Sequence, residues 1–345
     1  MRIAIVGATG LVGSVMLSEL ASGDFDIPID ELIPIASKRS ADKVVKFREK
    51  QIPVRVLDKN SIPDVDIALF SAGANVAREF APLFVERGAF VIDNSSAFRS
   101  DPNVPLVVPE VNADTIFQRI GTRLIANPNC STIQLVVVLA ALKKFGIKSV
   151  FVSTYQAISG GKKSALEQFI EEWKQLSEKY DDADITDYIG KHPFAENPKI
   201  PLFSNVVPAI GEITETFEYT EEKKVRFETK KILDMPDLPV SVTAVRVPVL
   251  NGHSESVLVE FENEICLDDI VSSIQSFGRG LIFDSKFPTP IRVSGKREIF
   301  VGRIRKDPER PNYFHFWIVA DNLRKGAATN AVQIAEYIYK RNLVK

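Results

Sequence analysis

The glycines of Gly7-x-x-Gly10-x-x-Gly13 constrain this chain most, because they stand between a short apolar run, Ile3 to Val6, and a segment of helical spacing from about Leu11 to Ala21. Glycine lets a turn adopt positive φ, lets the backbone approach an anion, and lets a helix pack closely on the strand before it. A helix starting there offers unpaired N–H groups and a partial positive charge, so the pattern predicts a dinucleotide-phosphate site. The alternative is a tight βα turn that holds no ligand. The rhythm continues with Leu32 to Ala36, Ile67 to Phe70, a helical segment Val76 to Arg87 closed by Gly88, and Phe90 to Ile92. Strand and helix in alternation predict parallel pairing with right-handed crossovers: a doubly wound (Rossmann) α/β sheet.

The choice of dinucleotide rests on the end of the second strand. An NAD site there carries a carboxylate for the ribose hydroxyls, whereas this chain reads Ala36-Ser37-Lys38-Arg39-Ser40. Two cations and two hydroxyls suit an added 2′-phosphate, so NADP is expected. Otherwise Lys38 and Arg39 merely solvate a loop.

A Pro-bearing loop at Asn127 to Asn129 leads into an apolar helix, Thr132 to Phe145, that closes at Gly146. Then come Ser149 to Ala157, an amphipathic helix Ser164 to Tyr180, and an irregular Pro-rich stretch from His192 to Pro208. Val240 to Val249, Ser256 to Glu262 and Tyr313 to Val319 alternate and are β-branched or aromatic, which predicts a mixed or antiparallel sheet with one covered face in an α+β second domain. A last helix spans about Gly326 to Arg341, and periodicity does not say which domain it covers.

At 345 residues the chain is long enough for two cores, and its net charge of -2 gives no basic field for nucleic acid. The opening MRIAIVGATG has no signal-peptide pattern, and the apolar run Ile133 to Leu142 is too short to span a membrane. Two cysteines alone point to a reducing compartment. A soluble, cytoplasmic protein is expected.

Of those cysteines, Cys266 lies in the structural-looking run Glu264-Ile265-Cys266-Leu267, where a small packed hydrophobe is expected. Cys130 sits in Asn127-Pro128-Asn129-Cys130-Ser131-Thr132, at the mouth of the apolar helix. Free N–H groups and the helix dipole favour thiolate there, so a lowered pKa is expected, with Asn129 placed to stabilise a developing oxyanion. A cysteine, a nicotinamide dinucleotide and an oxyanion site together predict oxidoreduction at the acyl or aldehyde level through a thioester. Of three histidines, His192 lies in the Pro-rich stretch and His315 reads as a packed strand residue. His253, after Asn251-Gly252 in a turn, is the expected proton partner.

The chain resembles the aspartate-semialdehyde dehydrogenase family, bacterial type, over nearly its whole length. The resemblance rests on Gly7-Ala8-Thr9-Gly10 with Val12-Gly13, Ser71-Ala72-Gly73, Asp93-Asn94-Ser95-Ser96-Ala97-Phe98-Arg99, Val108-Pro109-Glu110-Val111-Asn112 and Asn129-Cys130-Ser131-Thr132. It continues through Ser153-Thr154-Tyr155-Gln156, Arg246-Val247-Pro248, Gly252-His253-Ser254-Glu255-Ser256, Val301-Gly302-Arg303 and Asp321-Asn322-Leu323 with Lys325-Gly326. It implies that Cys130 forms an aspartyl thioester, that His253 shuttles the proton, that Gln156 positions the substrate and that Arg246 pairs with its carboxylate. A structural ion pair is the other reading of Arg246. It further implies that Arg99 and Lys224 bind phosphate and that Glu221 lies near the substrate amine; taken alone, Glu221-Glu222-Lys223-Lys224 is a solvated charge run.

For the cofactor, the resemblance implies contacts from Gly7, Thr9, Gly10, Leu11, Val12, Lys38, Arg39, Ser40, Ser71, Ala72, Gly73, Ser159, Gly160 and Asn322, and no metal. The chain departs from the family after Ser159-Gly160, reading Gly161-Lys162. The resemblance also implies an NADP-binding domain, 1–128, completed by a C-terminal helix, 323–345. A catalytic and dimerisation domain, 129–322, would then make a homodimer. The implied reaction is NADPH-dependent reduction of aspartyl phosphate to aspartate semialdehyde with release of phosphate, in lysine, threonine and methionine biosynthesis. Two rivals stand beside it: an N-acetyl-glutamyl-phosphate reductase, and a non-catalytic NADP-binding redox sensor with Cys130 as its oxidisable thiol.

Overall fold

The structure is a computed structural model that describes residues 1–118, 122–161, 163–180, 194 and 199–344. His192 and Lys162 therefore lie outside the described residues.

Five short parallel strands build the first sheet around the chain's start: β1 (Arg2–Val6), β2 (Glu31–Ala36), β5 (Arg55–Val56), β6 (Ile67–Phe70) and β7 (Phe90–Asp93), with β8 (Leu124–Ala126) as the sixth, in the order β5-β2-β1-β6-β7-β8. The inner strands β1, β6 and β7 are buried on both faces, as continuous apolar runs in a parallel sheet require. A small hairpin of β3 (Val44–Phe47) and β4 (Lys50–Pro53) stands apart. Helix α1 (Leu11–Ala21) follows β1, and α2 (Ala74–Glu86) follows β6. Gly7 has φ of +94°, and a Cβ there would meet Ser71 O at 2.3 Å; one on Gly13 would meet Gly7 O at 2.1 Å. Only glycine lets α1 and the β6 end come this close. Two short helices, α3 (Pro109–Asn112) and α4 (Thr115–Gln118), lead to β8.

The second sheet is mixed, in the order β10-β9-β11-β14-β13-β12. Its strands are β9 (Ile147–Gln156), β10 (Val240–Arg246), β11 (His253–Phe261), β12 (Leu281–Asp284), β13 (Ile299–Lys306) and β14 (Tyr313–Ala320). One face is covered by α5 (Cys130–Leu142), whose apolar residues join Val257, Val259, Phe314 and Phe316 in one core. Helix α6 (Lys163–Tyr180), α7 (Thr220–Leu233), α8 (Leu267–Phe277) and the short α9 (Pro290–Val293) complete this part. The last helix, α10 (Thr329–Lys340), packs back on the first sheet: Ala331, Val332, Ile334 and Ala335 share a core with Ile3, Ile5 and Leu17. A π-helical turn, Arg324–Ala328, precedes it.

Four expectations need correction. Helix α5 begins at Cys130, two residues earlier than expected, because the Asn129 side chain caps it. Strand β10 ends at Arg246, and β11 begins at His253, three residues before the expected start. His253 is thus the first residue of a strand rather than part of the turn, since it pairs in register with Ala320. Finally, Cys266 is exposed at the N-cap of α8 instead of packed inside. Among the described residues, no helix is long and apolar enough to cross a membrane.

Candidate active site

The N-cap of α5 decides how the nucleophile candidate is presented. Asn129 Oδ1 accepts from the Ser131 amide at 2.9 Å, satisfying one of the helix's free N–H groups and fixing the loop just before Cys130. From the facing sheet, His253 Nε2 comes within 3.2 Å of Cys130 Sγ. The Ala157 backbone N–H donates to His253 Nδ1 at 3.0 Å. A peptide nitrogen only donates, so Nδ1 is bare and the neutral imidazole carries its proton on Nε2, directed at the sulfur.

Two strand ends, a helix and the loop after β7 supply the rest. Gln156, last in β9, donates to Ser131 Oγ at 2.8 Å and lies 3.4 Å from Glu221 Oε1. Arg246, last in β10, donates to Ala157 O at 2.6 Å. Among the described residues no carboxylate stands within ion-pair distance of Arg246, so its structural-pair reading has no partner on which to rest. Its half-buried guanidinium keeps donors for an anion. Glu221, on α7, accepts from Asn129 Nδ2 at 2.8 Å and pairs with Lys224 at 3.2 Å. Arg99 donates to Glu228 Oε1 at 3.0 Å and to Asn94 O at 2.7 Å, while its buried Nε has no partner.

A cavity of about 490 Å³ joins these groups to the glycine turn. Gly10, Leu11, Val12 and Ser71 line it together with Arg99, Asn129, Cys130, Glu221 and Lys224, and Ser159, Gly160 and Asn322 complete the lining named here. That volume suits a small-molecule ligand. Gln156, Arg246 and His253 stand behind the wall and reach it through the contacts above. Gly161 also lines the cavity, so the departure from the family pattern falls inside the site. Gly7, Thr9, Ala72 and Gly73 belong to the turns beneath rather than to the wall. Lys38 lines a second hollow past the end of β2, Arg39 is exposed, and the Ser40 hydroxyl is 3.2 Å from Thr9 Oγ1. The N-terminus of α1, capped by Gly10 without any side-chain bond, leaves its N–H groups open to a phosphate.

The electrostatics overturn one expectation. Burial, aided by the Glu221 carboxylate, pushes the Cys130 thiol up to about 12, against Arg99, Arg246 and the Ser131 amide. Desolvation thus outweighs the helix mouth, and the resting sulfur keeps its proton. Burial, then Arg246, holds His253 well below its ordinary value, so the imidazole is neutral too. For Glu221, burial opposes ionisation, but Lys224, Asn129 and Arg99 outweigh it and hold the carboxyl below its ordinary value.

Ser131, the Ala157 amide and Glu228 were not singled out from the sequence. Glu228 had a signal: it lies seven residues after Glu221, on the same face of α7. His315, expected as a packed strand residue, is half-buried and bonded to Asp307 Oδ2 at 2.9 Å.

Comparison with known proteins adds the following. The family model "Semialdehyde dehydrogenase, NAD binding domain" matches residues 2–119, and "Semialdehyde dehydrogenase, dimerisation domain" matches residues 139–325. An aspartate-semialdehyde dehydrogenase of Aquifex aeolicus is 45% identical over 99% of both chains. The crystal structure of aspartate semialdehyde dehydrogenase II from Vibrio cholerae, complexed with ASA, superimposes with a TM-score of 0.88 at 39% identity, covering 99% of this chain and 98% of that one. An aspartate semialdehyde dehydrogenase of Candida albicans, solved with NADP, reaches a TM-score of 0.72 at 25% identity over 99% of both chains.

Proposed function

The chain belongs to the aspartate-semialdehyde dehydrogenase family, and on that premise we propose that its cavity reduces aspartyl phosphate to aspartate semialdehyde through a thioester on Cys130. The observation that carries this reading is that Cys130, backed by the His253 imidazole 3.2 Å from its sulfur, lines one cavity with an open glycine turn.

Arg246 receives the substrate α-carboxylate, because its guanidinium, held 2.6 Å from Ala157 O just behind the cavity wall, has no carboxylate partner among the described residues. Glu221 receives the α-ammonium, and Arg99 with Lys224 receives the acyl phosphate. Ammonium binding offsets the Glu221 charge that, after burial, holds the Cys130 proton, so substrate binding favours the thiolate. The sulfur attacks the acyl carbon, a C–S bond forms, the C–O bond to phosphate breaks, and phosphate leaves toward Arg99 and Lys224. Asn129 and the amides at the mouth of α5 stabilise the oxygen that becomes negative. His253 takes the thiol proton on Nε2 after its proton shifts to Nδ1, which requires the Ala157 contact to open; one such hydrogen bond is worth about 1 kcal/mol net. It returns that proton as the sulfur departs.

NADP fits the glycine turn, and Lys38 and Arg39 at the end of β2 suit its 2′-phosphate; its reduced form, when bound, would supply the hydride. Residues 1–128 with 323–345 form the dinucleotide-binding domain in this reading, and 129–322 the catalytic and dimerisation domain, in a cytoplasmic homodimer. The open face of the second sheet supports dimerisation: Phe151, Leu258 and His315 share one register row, and Ser153, Ser256 and Trp317 the next. Phe151 is 43% exposed and Tyr155 37%, an apolar patch that a second copy would cover.

The test is NADPH formation from aspartate semialdehyde and NADP with and without phosphate, repeated with N-acetyl-glutamate semialdehyde. Phosphate-dependent turnover of the first aldehyde alone is expected. Preference for the acylated aldehyde, or NADP binding without turnover, would overturn the reading.

A further inference from the structure

Glu228 is 1% exposed on α7, and both of its oxygens accept hydrogen bonds from groups of the site. Oε1 takes Arg99 Nη1 at 3.0 Å, and Oε2 takes the backbone N–H of Asn129 at 2.6 Å. Arg99 lines the cavity and is the phosphate receiver in the function proposed above, while Asn129 is the N-cap immediately before the nucleophile. One carboxylate therefore ties the phosphate receiver to the nucleophile's loop. The rest of α7 reinforces the tie. Glu221, two turns earlier, holds Asn129 by its side chain, and Lys231 Nζ donates to Arg99 O and Asp101 O, each at 2.8 Å. The residue before Cys130 is thus gripped twice by one helix, and Arg99 is held by side chain and main chain from that same helix.

We propose that Glu228 is a positioning residue that fixes the distance between the phosphate-binding guanidinium and the attacking sulfur; this rests on the function proposed above. The chemistry demands a carboxylate rather than any acceptor. Both partners are donors, so a glutamine in its place must turn its NH₂ toward one of them and repel it. A carboxylate also sits favourably near the N-terminus of α5 and orients Arg99 without neutralising all its donors, because Nε stays unpaired.

The test compares wild type with Glu228→Gln and Glu228→Asp in the phosphate-dependent oxidation of aspartate semialdehyde, alongside the rate at which iodoacetamide alkylates Cys130. For Glu228→Gln the KM for phosphate should rise roughly tenfold or more, the effect of misplacing one charge-assisted hydrogen bond, while the KM for the aldehyde stays within about threefold. The turnover number and the alkylation rate should change with it, because the Asn129 amide has lost its anchor. Glu228→Asp keeps charge and both acceptors but shortens the reach by one methylene. It should lie between the two, and it gives the reading if the amide variant does not fold. A phosphate KM and turnover number like wild type in whichever variant folds would overturn the inference. So would an equal rise in both KM values accompanied only by a lower Tm, the mark of a merely structural role. Wild type without phosphate-dependent activity would instead sink the function proposed above, so the two failures are distinguishable.

Discussion

Gly160 closes a short 3-10 turn after β9, and its φ is not left-handed, so alanine fits the backbone. Space is what alanine lacks. A Cβ there would stand 2.8 Å from His253 Cε1, 2.9 Å from His253 Nε2 and 3.0 Å from Arg246 Nη1. Ordinary carbon contacts lie at about 3.5–4.0 Å, so the imidazole or the turn must move by roughly 0.7–1.2 Å. The ring has no slack, because it is 0% exposed and its Nδ1 is held by the Ala157 amide. The 3.2 Å contact of Nε2 with Cys130 Sγ must therefore change. A misplacement near 1 Å costs about 100-fold in rate, so Gly160→Ala should lower kcat/KM by about 100-fold, or ~2.7 kcal/mol. Overpacking should cost about 1–3 kcal/mol of stability. Steady-state NADPH formation from aspartate semialdehyde and phosphate, with Tm measured in parallel, reads both. A folded variant whose kcat/KM stays within about threefold of wild type would refute the steric argument.

Two further outcomes follow from buried charge. Burial pushes the Glu255 carboxyl well above its ordinary 4.5, and the neighbouring Gln134 side chain offsets only part of that rise. A carboxyl with a raised folded pKa contributes stability below 4.5 that is lost as pH rises through the folded value, so the Tm advantage of Glu255→Gln should grow with pH from 4.5 upward; melts across a pH series that show a constant difference would contradict this. Lys325 Nζ is buried and bonded to both Glu110 oxygens at 2.7 Å, to Asn330 Oδ1 at 2.9 Å and to Gln333 Oε1 at 2.7 Å. Lys325→Met strands the Glu110 carboxylate and should cost about 3–5 kcal/mol in urea unfolding, largely restored by adding Glu110→Gln; a loss under about 1 kcal/mol would show that the pair is solvated.

What the sequence disclosed was mostly local. The first sheet was legible because apolar runs, glycines and helical spacing alternate within short windows, and Cys130 because Asn129 and the helix after it are its neighbours. Burial of the sulfur was not legible, since among the groups set against Cys130 are His253 and Gly326, each more than 100 residues away in the chain, and it reverses the sign of the expected pKa shift. Glu228 hid in a charged helix whose composition reads as solvated, although that face meets the site. The π-helical turn was invisible as well: Gly326-Ala327-Ala328 reads as a helix start. Yet a Cβ on Gly326 would stand 2.8 Å from Cys130 Cβ, so small residues there let the last segment press against the nucleophile.

A covalent acyl group on one sulfur is the centre of the proposed reaction. Mixing the protein with aspartyl phosphate in the absence of NADPH, then quenching in acid for peptide mass spectrometry, tests this directly. The expected result is an aspartyl adduct on the peptide containing Cys130, formed with an equal amount of released phosphate and lost on adding NADPH. Full turnover with no adduct on Cys130, or with an adduct on another residue, would contradict it.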